Sequence, residues 1–181
     1  STVAVFGHTY GQLVDESYFQ DGPFLTEYDR TKWLAHYKVA LPLIAKGAPI
    51  TIVMPGGVYG PGDTSAIAQM MRLFYQGVPA LTGPSTTLTY AHVEDVAEGH
   101  ILAAEQGEVG ESYILAGPAI PLGEMVDFWG YLLERPTPTL RIPAAALRPF
   151  APLMGVVHPL FALPDIFSQE ATASVGATYM A

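Results

Sequence analysis

The stretch from Glu27 to Met54, EYDRTKWLAHYKVALPLIAKGAPITIVM, carries two periods in succession. Its apolar residues Trp33, Leu34, Tyr37, Leu41 and Ile44 recur at spacings of one, three, four and three, which is one face of a helix. The spacing predicts a helix from Glu27 to Lys46, bent at Pro42 and stopped by Gly47. Pro49 to Met54 then runs apolar and β-branched without alternation, the pattern of a strand buried on both faces of a parallel sheet. Upstream, Thr2 to Phe6 (TVAVF) has the same character and predicts an earlier strand ending at Gly7. Strand, helix, strand implies a right-handed crossover.

Downstream the alternation continues. Pro55 to Asp63 (PGGVYGPGD) reads as a tight glycine-rich loop, Ser65 to Gln76 as a helix and Thr86 to Val93 as a strand. Asp95, with Glu98 three residues later, has the form of a capping box opening a helix to Gln106. Ser112 to Leu115 is a predicted strand, Leu122 to Glu134 a helix and Thr139 to Ile142 a strand, followed by helical pieces rich in Pro and Ala. The class is α/β.

Composition narrows the partners. Of 181 residues 50% are hydrophobic and 14% charged, which argues for a packed chain. Eight Lys plus Arg against 17 Asp plus Glu leave a net charge of -9, the wrong sign for neutralising nucleic-acid phosphates. The absence of cysteine excludes disulfides, thiolate nucleophiles and Cys-based zinc sites, and fits the cytoplasm. Ile142 to Pro164 is apolar, but five prolines, Arg148 and His158 interrupt it, so no membrane span is expected. The five histidines show no paired metal spacing, and no metal is expected.

Tyr28 and Lys32 lie four apart and so share one face of the first helix. An ammonium about 5 Å from a phenolate stabilises it by ~3 kcal/mol at an effective dielectric near 20. Such a pair can pass a proton to or from a substrate hydroxyl. The bland alternative is a solvated lysine beside a packed tyrosine. In a parallel α/β sheet, Thr2 and the Pro55 turn can reach the same carboxyl-end crevice as this pair.

Four segments in order, Ser1–Gly7 (STVAVFG), Tyr28–Ala35 (YDRTKWLA), Pro55–Asp63 and Tyr90–His100 (YAHVEDVAEGH), resemble successive motifs of the extended short-chain dehydrogenase/reductases, the NAD-dependent epimerase/dehydratase family. Asp15-Glu16 and Gly110–Leu115 (GESYIL) lean toward the dihydroflavonol-reductase-like branch. The resemblance implies a partial Rossmann-like, doubly wound parallel sheet with a small mixed α/β substrate lobe. Residues 1–64 would be the second half of a dinucleotide-binding domain, and 65–181 the remaining Rossmann elements interleaved with the substrate lobe. It implies Thr2, Tyr28 and Lys32 as catalytic residues, with Tyr28 the acid/base in a Tyr-x-x-x-Lys motif. Tyr28, Lys32, Pro55, Gly56, Gly57 and Val58 would hold NAD or NADP at its nicotinamide end, and Thr82 and Tyr90 would hold the substrate. The function implied is NAD(P)-dependent hydride transfer at a secondary alcohol or ketone of a small or sugar-like substrate. A non-catalytic binding or assembly module, or an inactive fragment of such an enzyme, is the alternative reading.

The glycine turn for the pyrophosphate and the ribose-reading residue, expected of a dinucleotide fold, do not occur in these 181 residues. The chain therefore reads as an internal piece of a longer enzyme, working as a homo-oligomer or paired with an N-terminal half. These residues alone should bind NADH weakly, since each 1.4 kcal/mol of lost contact is about tenfold and several would take a micromolar site to about millimolar. Fluorescence titration of NADH against the 181-residue protein checks this. Saturable micromolar binding would refute it.

Overall fold

The computed structural model describes residues 1–78, 80–82, 85–137, 139–141, 144–161, 163 and 165–181. They form two compact units. The first comprises Ser1–Pro61, Leu88–Ala119 and Thr178–Ala181, the second Gly62–Thr87 and Ile120–Ala177.

In the first unit the predicted helix runs unbroken from Glu27 to Ile44. It is α-helical over Glu27–Trp33, π-helical over Leu34–Ala40 and α-helical again over Leu41–Ile44. Pro42 explains the change of pitch, because it lacks an N–H and its ring crowds the preceding turn. The wider π turns accommodate it, and the Leu41 N–H reaches back five residues to the His36 carbonyl. Strand Ile52–Pro55 follows and pairs in parallel with strand Ser112–Leu115, Ile52 opposite Ser112 and Pro55 opposite Leu115. Helix Val93–Gln106 lies between them in the chain and packs on both, which is a parallel α/β arrangement. The core holds Val3, Val5, Phe6, Ile52 and Met54, with Tyr37, Leu41, Ile44 and Ile114 packed against it. At the edge of this pair the Glu16 carboxylate accepts the Ile114 N–H at 2.8 Å.

Three expectations are corrected. Thr2–Phe6 is not a strand: Val3–Phe6 is a turn of 3-10 helix, with Thr2 as its N-cap. Its N–H groups are satisfied locally, Val5 to the Thr2 carbonyl at 3.1 Å and Gly7 to the Ala4 carbonyl at 3.0 Å. Burial of Val3 through Phe6 is as the apolar run indicated, but a short apolar run fixes burial without fixing the period. The glycine-rich loop contains a strand, Gly57–Tyr59, paired in parallel with Tyr90–His92 of strand Thr87–His92. Asp95 is not a cap. The helix starts at Val93, and His92 caps it by accepting the Glu94 N–H on Nδ1 at 3.4 Å. Asp95 sits in the first turn, where its charge complements the helix dipole.

The short C-terminal strand Thr178–Tyr179 pairs with Thr87–His92. Thr178 is also bonded to the loop after Gly7: its carbonyl accepts the Thr9 N–H and its hydroxyl the Gly11 N–H, both at 2.8 Å.

The second unit has helix Ala66–Tyr75, opened by Ser65, helix Leu122–Leu132, and a parallel pair of strands, Ala80–Thr82 with Thr139–Arg141. Met70, Phe74, Leu122, Val126 and Trp129 form its core. Further helices, Ala144–Leu147, Ala151–Leu160 and Gln169–Ala173, fill the Pro- and Ala-rich stretch. Ile142, the predicted end of one strand, lies outside the described residues. Among the described residues no helix is long and apolar enough to cross a membrane.

Gly56 and Gly57 let two segments approach closely. A Cβ on Gly56 would stand 2.7 Å from the Thr89 carbonyl oxygen and 2.9 Å from its hydroxyl, and one on Gly57 would stand 3.0 Å from the Tyr90 ring. Gly56→Ala is therefore expected to lower unfolding free energy by about 1–3 kcal/mol, since the neighbour is backbone and cannot turn aside. Urea unfolding of the variant, with an unchanged m-value, measures it. A loss below a few tenths would show that the strands part freely.

Candidate active site

The Tyr28 helix begins at Thr26, whose hydroxyl accepts the Asp29 N–H at 3.1 Å. Asp29, Trp33 and His36, at positions i, i+4 and i+7, form its buried stripe. Each carries a polar group and each is bonded to a different segment. The Tyr179 hydroxyl donates to Asp29 Oδ2 at 3.0 Å, Trp33 Nε1 donates to the Gln20 carbonyl at 2.6 Å, and His36 Nδ1 lies 3.2 Å from the Ser1 hydroxyl. One stripe round, Tyr28 is 47% exposed, and the Lys32 ammonium stands 5.4 Å from its ring centroid. The helix packs against the Val3–Phe6 turn.

Thr2 and the glycine turn meet directly. The Thr2 hydroxyl donates to the Pro55 carbonyl at 3.1 Å and accepts the Ala4 N–H at 3.4 Å. The Gly56 N–H in turn donates to the Leu115 carbonyl at 3.1 Å, so strand pairing fixes the turn under Thr2. Val58 is on strand Gly57–Tyr59 and partly exposed. One group of predicted residues is thus tied together as Thr2 with Pro55, and another as Tyr28 with Lys32.

Tyr90 is 6% exposed, its ring against Gly57, and its hydroxyl has no hydrogen-bond partner. Burial pushes its phenol pKa well up. The adjacent Thr89 hydroxyl is likewise buried and unpartnered. Thr82 ends strand Ala80–Thr82 of the second unit, and its side chain lies outside the described part of the structure.

Sequence reasoning passed over Asp29 and Tyr179. The signal for Asp29 was present, an acid at helical spacing from Trp33 and His36 on a face bound for the core. Nothing local marked Tyr179, which meets it across 150 residues of chain.

Residues 1–116 match the family model described as the NAD dependent epimerase/dehydratase family. Cinnamoyl-CoA reductase 2 of Arabidopsis thaliana is 34% identical over 134 residues, covering 70% of this chain and 40% of the relative. Sterol demethylase protein B of Methylococcus capsulatus is 28% identical over 128 residues, covering 70% and 38%. The crystal structure of gox2253 superposes with a TM-score of 0.76 at 30% identity, covering 98% of this chain and 56% of that one. The chain therefore spans about two fifths of the length of these curated relatives.

Burial holds the His36 imidazole below its ordinary value of 6.5. The unfolded chain takes up a proton at His36 as pH falls through that value, while the folded chain resists. Stability is therefore expected to fall between about pH 7 and about pH 5, and His36→Gln should flatten that slope. Urea midpoints across the range test it, and an unchanged slope in the variant would clear His36 of any part.

Proposed function

The chain belongs to the NAD dependent epimerase/dehydratase family, and on that premise we propose that it supplies proton transfer and the nicotinamide end of the cofactor site to an NAD(P)-dependent oxidoreductase. The reaction is the interconversion of a secondary alcohol and a carbonyl on a small or sugar-like substrate. The observation that carries the reading is the exposed Tyr28 phenol beside the Lys32 ammonium, on a helix whose neighbouring face is bonded into the core.

The donor set fits a nicotinamide riboside. Lys32 offers a flexible ammonium for ribose hydroxyls, and Val58, after the paired Gly56-Gly57 turn, offers an apolar edge for a ring. The nicotinamide, when bound, supplies or accepts the hydride. Tyr28 gives its phenolic proton to the carbonyl oxygen during reduction, or takes the proton from the alcohol during oxidation, and Lys32 stabilises the phenolate between the two. Thr2 orients the same oxygen. Its proton lies on the Pro55 carbonyl and the single O–H of an alcohol is directed to Tyr28, so Thr2 holds that oxygen by turning its own hydroxyl onto it. Holding a carbonyl likewise requires that hydroxyl to leave Pro55.

Self-association through this helix is supported by Val39 and Leu43, both exposed on its later turns. Tyr90 is the substrate-side candidate, supported by its buried, unpartnered hydroxyl.

In the full-length protein, Tyr28→Phe should lower kcat by about 10²–10⁴-fold while leaving the dissociation constant for NADH or NADPH nearly unchanged, because only proton transfer is lost. Oxidation of NADPH with cinnamoyl-CoA or a dihydroflavonol, alongside cofactor fluorescence, supplies both readouts. Turnover equal to the parent's would remove Tyr28 from the mechanism.

A further inference from the structure

We propose that Asp29 and Tyr179 are positioning residues that set the rotation of the helix bearing Tyr28 and Lys32, so that strand Thr178–Tyr179 is a working part of the site. The proposal rests on the reading of Tyr28 as the proton donor. Asp29 is the next residue after Tyr28 and is 2% exposed. A helix turns as a rigid body over so short a span, so whatever fixes the Asp29 side chain fixes the directions of Tyr28 and Lys32. A carboxyl group is a costly thing to bury, and it is stable there only when donors meet it with good geometry. The Tyr179 hydroxyl is one such donor, at 3.0 Å.

Tyr179 can act as a reference point because it is itself held. Its strand pairs with Thr87–His92. Immediately before it, the Thr178 N–H donates to His8 Nδ1 at 3.2 Å, and the Thr178 carbonyl accepts both the N–H and the hydroxyl of Thr9, at 2.8 and 3.1 Å. Immediately after it, the Met180 carbonyl accepts the Val14 N–H at 3.0 Å. The phenol therefore reaches Asp29 from a segment bonded on both sides. Fixed sheet edge, fixed phenol and fixed carboxyl form one chain of contacts that ends one residue from Tyr28.

The test is Tyr179→Phe, which keeps the ring and removes the hydroxyl. Amide hydrogen exchange of the full-length protein should quicken by about tenfold or more within Glu27–Trp33, while Ile52–Pro55 and Ser112–Leu115 keep their protection. Asp29→Leu should reproduce the effect, and Asp29→Asn, whose side-chain carbonyl still accepts from Tyr179, should restore protection. Unchanged exchange in the helix would overturn the proposal. So would a uniform rise across all elements, because that marks a general stabiliser.

In the full-length enzyme, with NADPH and cinnamoyl-CoA as probes, Tyr179→Phe should lower kcat at unchanged KM for NADPH. If Tyr28→Phe leaves turnover intact, the acid–base reading fails while the exchange result still stands. If Tyr28→Phe abolishes turnover and Tyr179→Phe leaves kcat alone, the positioning role alone falls.

Discussion

A helix face that is both buried and polar has few permitted orientations. Apolar side chains can slide or repack at small cost, but Asp29, Trp33 and His36 each need a partner at hydrogen-bond distance and angle, and each has one in a different segment. A satisfied bond of this kind contributes only about 1 kcal/mol net, yet leaving a buried group unpartnered costs about 1–3 kcal/mol. The asymmetry means that rotating the helix would forfeit several bonds together. The exposure of Tyr28 and its closeness to Lys32 follow from that fixed setting and do not require contacts of their own.

The other side of the site is built by close approach. Gly56 lies against Thr89 with no room for a Cβ, and Gly57 lies tightly against the Tyr90 ring. Strand pairing on one side, through the Leu115 carbonyl, and this packing on the other leave the Pro55 carbonyl in one place. Thr2 is bonded to that carbonyl, so its position is inherited from the sheet. Two unrelated devices, directed bonds along a helix and bare backbone between strands, therefore fix the two groups of predicted residues.

Much of this was legible from the sequence. The helix from Glu27, strand Ser112–Leu115 and the helix at Leu122 follow from spacing, because burial selects one face and one face has a period. Val3–Phe6 was read correctly as buried and incorrectly as a strand, since four apolar residues in a row carry no period. The strand at Gly57–Tyr59 was hidden because its stability comes from pairing with residues more than thirty positions away. The cap at His92 was missed because imidazole lies outside the usual set of capping groups. At the site, Tyr28 and Lys32 were legible as neighbours on one helix face. The partners of the polar stripe beside them were not, because Ser1, Gln20 and Tyr179 lie elsewhere along the chain and only folding makes them adjacent.

The Glu16 carboxylate on the Ile114 N–H has a bearing on how copies of the chain meet. An outer strand with unoccupied N–H and carbonyl groups is a template on which a foreign strand can add, the first event of sheet-to-sheet aggregation. Here one of those N–H groups is already taken, and by a group bearing a negative charge. An incoming strand would have to displace Glu16 and would bring its own carbonyl oxygens up against the carboxylate. A carboxylate bonded at that position raises the cost of adding a strand there.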